Sequence, residues 1–457
     1  MICFTFKKRQ TRNKAILALL TLCLAPRVTH TLRPTVAVIG GGIAGLSCAE
    51  KLSQQYYDVT VFDTGRLRAG GRCASRWPGD QPKEGDRSHH PFLSQYRFDH
   101  AAQAISVPPS FYAFQNQVKE WESRGVLRQF AKGSIYQIGS AQPPTPLSSD
   151  HPLYFAPDGI NAIAMDLIAN RKFTLQQDVW VSPSNGVKWI DKSQKWRVQA
   201  KGEVRGNFDY LIIAHNGKCA DRLMSSSPAK EIHSLLRVNF APTVPANGGN
   251  RMTLGSIYSL SVCVKSPSIL SKALPDNFVA GFISENSNLG FLVCQNRKLA
   301  QSDTTHEVWT ILSTPKFAKR HKAPQEFMPE ETIEEVSLLL IASLGDLFDI
   351  APESLLSEVV DRRLQLWGAA IPMNVWRSKD GAFLYDCEHK VGVCGDWLLE
   401  PSIAGAWTSG RQLADFMVDA KGDLKKNVGL PGQFVRSTRS QRLGITTASR
   451  DPASSKA

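Results

Sequence analysis

The run Val36-Ala37-Val38-Ile39 leads straight into Gly40-Gly41-Gly42-Ile43-Ala44-Gly45, and that order constrains the fold of this chain more than any other feature. Four consecutive apolar residues predict a strand buried on both faces, the residues from Ala44 to about Gln54 a helix, and Val59 to Phe62 a second strand. A GxGxxG between strand and helix is the turn that cradles a dinucleotide diphosphate. Gly40 permits the tight turn, Gly42 lets the backbone approach the phosphates, and Gly45 lets helix and strand pack closely. At the helix N-terminus, from Ile43 and Ala44 onward, unpaired N–H groups are available to an anion.

A glycine-rich turn can arise by chance, so its neighbours decide. Asp63 closes the second strand at the distance where a carboxylate accepts hydrogen bonds from adenosine ribose hydroxyls; taken alone it would be a strand-end acid. Gly70-Gly71-Arg72 follows, a second stretch of bare backbone with a guanidinium able to reach a diphosphate. Nicotinamide dehydrogenases do not need that second element, so the pair argues for FAD. Far along the chain, Val391-Gly392-Val393-Cys394-Gly395-Asp396 predicts a strand running into Gly395-Asp396, where the carboxylate would meet the ribityl or phosphate end. The helix beginning near Ala404-Gly405-Ala406 would aim its positive N-terminus at the pyrimidine edge of the flavin.

Bulk properties narrow the class. A chain of 457 residues with 42% hydrophobic and 21% charged residues has enough apolar material for two or three cores. The net charge of +13 is weighted towards the ends: no acid precedes Glu50, and the tail after Gly422 is rich in Lys and Arg. No basic stripe with interleaved aromatics marks a nucleic-acid face. The nine cysteines form no CxxC pair and no metal-ligand cluster with His, so neither zinc nor a dithiol centre is indicated. Lys7, Lys8, Arg9, Arg12 and Lys14 precede the apolar run Ala15 to Ala25, too short for a bilayer span, which reads as a cleavable targeting segment for a plastid or the secretory pathway. No stable membrane span is expected elsewhere.

The organisation expected is a targeting segment at 1–34, a dinucleotide-binding domain in three parts (35–106, 151–238 with a β-meander, and 361–422), a cap or substrate-domain segment at 107–150, a substrate domain at 239–360, and a disordered basic tail at 423–457. The fold class is therefore α/β: a Rossmann-type FAD-binding domain with an inserted mixed α+β substrate domain. Trp189 and Trp196 read as packing within the meander, not as an aromatic cage. His100 and His215 read as local hydrogen-bonding residues, not as metal ligands or bases.

The sequence resembles the renalase-like branch of the amine-oxidase-type flavoproteins, above all its plant and algal members. The stretches carrying the resemblance are Val38 to Leu46, Gly70-Gly71-Arg72, Arg97-Phe98-Asp99-His100-Ala101-Ala102-Gln103, Phe208 to Gly217, Leu366-Trp367-Gly368-Ala369-Ala370 and Gly395-Asp396-Trp397-Leu398. Ala101 departs from the pattern, which usually has Gly there. The resemblance implies that Asp99 to Gln103 and Trp367 lie by the isoalloxazine, with Gln103 and Trp367 as the catalytic pair, and that Val179 contacts the adenine. It implies an oxidase that takes a hydride from a small molecule, a reduced nicotinamide nucleotide isomer among the candidates, and passes the electrons to O2. Amines, carotenoids and porphyrinogens are alternative substrates on similar scaffolds, and a non-catalytic nucleotide-binding module is the alternative of another kind.

Overall fold

The computed structural model describes residues 33–80, 90–139, 142–149, 151–169, 172–182, 184–302, 305–419 and 424–438. The targeting segment expected at 1–34 thus lies almost wholly outside the described residues. A six-stranded sheet runs Thr174–Gln176, Asp58–Phe62, Thr35–Ile39, Tyr210–Ile213, Val391–Val393, Leu384–Asp386. The first five strands are parallel and the last is antiparallel. Strands covered on both faces have no polar side to show, which is why their sequences are nearly unbroken apolar runs.

Alternation along the first strand sends Val36 and Val38 to one face and Ala37 and Ile39 to the other. On the first face lie the helices Ile43–Ser53 and Ile403–Asp419, which approach so closely that Ser47 Oγ donates to Trp407 O at 3.1 Å. A side chain at Gly410 would sit 2.1 Å from Ala44 O. The second face is covered by the antiparallel meander Val187–Ile190, Lys195–Ala200, Glu203–Phe208. Trp189 and Trp196 pack there with ring centroids 5.3 Å apart, as the alternation of their neighbours predicts.

An eight-stranded sheet forms the other layer, in the order Val238–Phe240, Met252–Lys265, His306–Ser313, Leu289–Cys294, Ala280–Ile283, Ile135–Ile138, Thr145–Pro146, with Val359–Pro372 also paired to Met252–Lys265. The helix Glu330–Phe348 covers one face through Val336, Leu340, Ile341 and Leu344.

Three expected boundaries need correction. Segment 107–150, expected as a substrate-domain segment or a cap, is divided between the layers: Phe114, Val118 and Trp121 of the helix Tyr112–Ser123 join the core of the dinucleotide-binding layer, while Ile135–Ile138 pairs with Ala280–Ile283 in the other sheet, as a substrate-domain segment would. The third part does not begin at residue 361, because Val359–Pro372 belongs to the eight-stranded sheet along its whole length, from Val264↔Val359 to Leu254↔Pro372. Asp361-Arg362-Arg363 disguises that strand, and the fold accommodates the buried Asp361 with N–H donations from Phe92 and Leu93 at 3.1 and 2.9 Å. The tail expected to be disordered at 423–457 is ordered at its described part, where Gln433–Arg436 is a strand antiparallel to Asn374–Arg377 with Phe434 buried 5.0 Å from the Trp376 ring; residues 439–457 lie outside the described residues.

Candidate cofactor and substrate cavity

The glycine turn is built as the sequence requires. Gly40 has φ +112°, a value other residues rarely adopt, and its N–H donates to Phe62 O at 2.9 Å. Gly42 caps the helix in extended conformation with no side-chain partner, and a Cβ there would meet nothing within 4 Å. Space therefore opens at the point where helix N–H groups are unpaired. Asp63 Oδ2 accepts from Gly41 N and Oδ1 from Gly65 N, both at 2.8 Å. Burial pushes the Asp63 carboxyl up, and those two N–H donors oppose the rise.

The second glycine pair folds onto the first. Gly70 N donates to Gly41 O at 2.8 Å, and Gly42 and Gly70 form an isolated parallel bridge. Gly70 has φ +133°, and a Cβ on it would lie 2.6 Å from Asn161 Nδ2. That amide holds the loop by donating to Ala69 O and Cys73 O at 2.7 and 2.9 Å. Arg72 then reaches the far end of the chain: its two terminal nitrogens donate to the two oxygens of Asp396 at 2.8 Å each, and Nη1 also donates to Ala370 O at 2.7 Å. The two groups expected to bind cofactor separately are thus a bidentate pair, which fixes the loop against the Gly395-Asp396 strand end and the eight-stranded sheet.

One cavity of about 1270 Å³ gathers these segments. Its wall includes Gly40, Gly42, Ile43, Ala44, Asp63, Gly70, Gly71, Arg72, Gln103, Val179, Trp367, Gly395, Asp396 and Ala406. Four expected residues are absent from it. Gly45 lies behind the wall, where a Cβ would be 2.0 Å from Gly40 O; its role is helix–strand packing. Ala404 and Gly405 turn away because helical side chains rotate by about 100° per residue: Ile403 and Ala406 face the cavity, Ala404 enters the core, and Gly405 lies against the Glu400 backbone.

Asp99 is the fourth. It is fully buried against Lys298 Nζ at 2.7 Å, with Oδ1 accepting from Ser75 Oγ at 2.6 Å and Ile160 N at 2.8 Å. Gln103 does line the cavity, but its amide is committed within the protein: Oε1 accepts from Lys298 and Gln295 at 3.0 Å, and Nε2 donates to Asp99 O at 2.8 Å. These bonds fix the place at which the Gln103 side chain meets the cavity. Trp367 presents its ring, with Nε1 donating to His100 O at 3.0 Å and the indole stacked on His100 at 5.7 Å. Burial, with the positive charges of Arg363 and Arg76, lowers the His100 pKa well below the ordinary value of 6.5. Burial also lowers that of His215, against the pull of Ile39 O. Both imidazoles are therefore neutral near pH 7. Among the described residues no His, Cys, Asp and Glu group could hold a metal ion.

Sequence reading missed two parts of this wall. Ile257, Phe282, Phe291 and Leu312 contribute an apolar side from the eight-stranded sheet, and positive charge comes from Lys218 and Arg222 of the helix Gly217–Met224, from Lys316 and from Arg436. Strand alternation could have flagged the former as facing some surface; nothing local announces the latter.

A family model for an NAD(P)-binding Rossmann-like domain matches residues 38–120. Among solved structures, a single-site variant of putrescine oxidase superposes with a TM-score of 0.53 at 12% identity, over 85% of this chain and 99% of that one. The wild-type putrescine oxidase bound to putrescine gives a TM-score of 0.52 at 11% identity, over 84% and 99% of the two chains. An FAD-containing monooxygenase from Photorhabdus luminescens, at 13% identity over 87% of this chain and 91% of that one, has a TM-score of 0.47, too low to carry an inference. The chain therefore has a Rossmann-like dinucleotide-binding domain joined to a second sheet in the fold of putrescine oxidase.

Proposed function

We propose that this protein is an FAD-dependent oxidoreductase that accepts a hydride from a small substrate, a reduced nicotinamide nucleotide isomer foremost, and returns the electrons to O2. The observation carrying this reading is the convergence of Gly40–Ala44, Asp63, Gly70–Arg72 and Gly395–Asp396, drawn from both ends of the chain, on one cavity of about 1270 Å³. That exceeds the ~300–1,000 Å³ typical of a site for one small ligand, leaving room for a dinucleotide with a substrate beside it. The residues fit FAD: open backbone at Gly42 for the diphosphate, the Asp63 carboxylate for the ribose, and the helix starting at Ile403 for the electron-rich ring edge. When bound, FAD would supply the hydride acceptance and the reaction with O2.

The chain's own part is placement. Trp367, held from behind by His100, offers a flat wall, and the Gln103 loop is locked by Lys298 and Gln295. No side chain need remove a proton from a dihydronicotinamide, whose product is aromatic and stable. Neutral His100 and the committed amide of Gln103 suit a reaction without a dedicated base. The cations Lys218, Arg222, Lys316 and Arg436 favour a phosphate-bearing donor, in line with the renalase-like resemblance. A second reading, oxidation of an amine, is favoured by the apolar Phe282, Phe291 and Leu312 with Glu285 nearby in the wall.

The test is anaerobic mixing of the purified protein with reduced nicotinamide isomers and with amines, following oxidised-flavin absorbance. Bleaching by a dihydronicotinamide within seconds is expected, and bleaching by amines alone would select the second reading. A purified protein without near-stoichiometric flavin, or a flavin inert to every donor, would overturn the enzyme assignment.

A further inference from the structure

The large apolar side chains of the described residues are almost all packed, and among those left exposed Trp180 is the one that stands in the cavity wall. It is 49% exposed. An indole left half in water forgoes burial that would stabilise the fold, so its position points to a partner outside the chain.

The backbone beneath it is held on both sides. Asp178 turns the chain at φ +53°, Val179 N donates to Asp63 O at 2.9 Å, and the buried Val181 bridges to Ala200 of the meander. Trp180 is therefore anchored one residue from Val179, whose N–H holds the main-chain carbonyl of Asp63, the residue whose carboxylate is assigned to the ribose. No protein ring stacks on it among the described residues. A rigid aromatic face beside a ribose-binding acid, in a cavity wall shared with Thr64 and Val179, is arranged for the base attached to that ribose.

We propose that Trp180 is the stacking platform for the adenine of the bound dinucleotide, so that the chain selects FAD over shorter flavins through this indole and Asp63 together. The proposal rests on the FAD reading above and adds the residue that recognises the non-reacting end. Stacking a base on an aromatic side chain is worth about 1–3 kcal/mol by alanine substitution, or roughly 5- to 150-fold in affinity.

The experiment compares the flavin-free parent chain with Trp180→Ala and Trp180→Phe, titrated with FAD, with FMN, which lacks the adenosine, and with ADP, which lacks the flavin. Expected are a loss of roughly tenfold or more in FAD affinity for Trp180→Ala, recovery of most of it in Trp180→Phe, and unchanged FMN binding across the three. ADP should quench indole fluorescence in the parent more than in Trp180→Phe. At saturating FAD the visible flavin spectrum of Trp180→Ala should match the parent, which a general loss of structure would not allow. Equal FAD affinity in parent and Trp180→Ala, or a parallel loss of FMN binding, would overturn the platform while leaving the FAD reading intact. A parent chain that binds neither flavin would overturn both, and point to a protein partner for the exposed indole.

Discussion

Lys298 Nζ lies 2.7 Å from Asp99 Oδ2, and neither side chain is exposed to solvent. The pair joins the two halves of the molecule. Lys298 follows the strand Leu289–Cys294 of the eight-stranded sheet, whereas Asp99 reaches Ser75 beside the second glycine loop, and Ser75 Oγ in turn accepts from Asn161 N at 3.0 Å. Asn161 holds the Gly70-Gly71 loop by its amide. Desolvation offsets much of the Coulombic attraction in a buried pair, so the pair is felt chiefly when one partner is left without the other.

Removing one partner should be far worse than removing both. Lys298→Met leaves a carboxylate buried without its counter-charge and is expected to lower the unfolding free energy by about 3–5 kcal/mol. Adding Asp99→Asn should recover part of that loss, because the amide keeps an oxygen for Ser75 and Ile160 while carrying no charge. Urea unfolding of the two single variants and the double gives the cycle; simple additivity would show that the pair is not coupled.

The fold was legible where its cause is local. The strand–turn–helix around Gly40, the meander with its Trp189 and Trp196, and the helix Ile403–Asp419 each follow from periodicity and turn chemistry over a dozen residues. The site was legible only in its backbone parts. The bond between Lys298 and Asp99 spans 199 positions and that between Arg72 and Asp396 spans 324, so Asp99, Arg72 and Asp396 each read alone as a candidate ligand and Lys298 did not stand out at all. Ala404 and Gly405 stand outside the cavity wall for a smaller reason: the helix begins where the sequence places it, but which third of its circumference meets the cavity depends on what packs behind it.

The two functional glycines of the turn should separate by experiment. Gly42→Ala adds a methyl group into open space at an ordinary backbone conformation, with φ −75°. It should therefore fold with an unaltered melting temperature in the flavin-free form, yet lose cofactor, since the methyl occupies the approach of the diphosphate. Gly45→Ala places its methyl 2.0 Å from Gly40 O and should cost about 1–3 kcal/mol or more through overpacking. Melting curves and bound-flavin ratios decide; a Gly42→Ala protein that purifies fully yellow would remove the diphosphate from that turn.

Cofactor retention should weaken in acid earlier than an ordinary aspartate predicts. Burial raises the Asp63 pKa above 3.8, though Gly65 and Gly41 oppose it, and ribose hydroxyls bind the ionised form best. FAD binding therefore favours the deprotonated state, so affinity falls as pH drops through that raised value. In Asp63→Asn the affinity should be weaker at neutral pH and flatter below it. Flavin release followed between pH 7 and 4 tests this, and identical profiles for the two proteins would sink the ribose assignment.

Two histidines, the buried His100 and the half-buried His215, give a stability term of defined sign. His100 and His215 have pKa values lowered by burial, so the unfolded chain takes up protons near 6.5 that the folded chain refuses. Each contributes stability that is full above 6.5 and falls by about 1.4 kcal/mol per pH unit below it, until its folded pKa is reached. His215→Asn should remove one share of that slope, read as the difference between parent and variant in denaturant midpoints from pH 7 to 5. An unchanged slope would mean that the imidazole is charged in the fold.

The strand Gln433–Arg436 makes the C-terminal segment part of the site. Phe434 is buried between the rings of Trp376 and Trp397, at 5.0 and 6.5 Å, and Trp397 lines the cavity, as does Arg436. The buried Ser437 ties the strand down, with Oγ donating to Pro372 O at 2.9 Å and N donating to Met373 O at 3.1 Å. Ending the chain after Thr438 keeps every one of these contacts and should leave both melting temperature and flavin content unchanged. Ending it after Leu430 strips the cover from Trp376 and Trp397 and should lower both, and Phe434→Ala alone should cost about 3–5 kcal/mol. If the shorter chain retained flavin and stability equally well, the strand would be an ornament on the surface; loss of both, with the 438-residue chain intact, would show that the strand Gln433–Arg436 closes the cavity that the first glycines open.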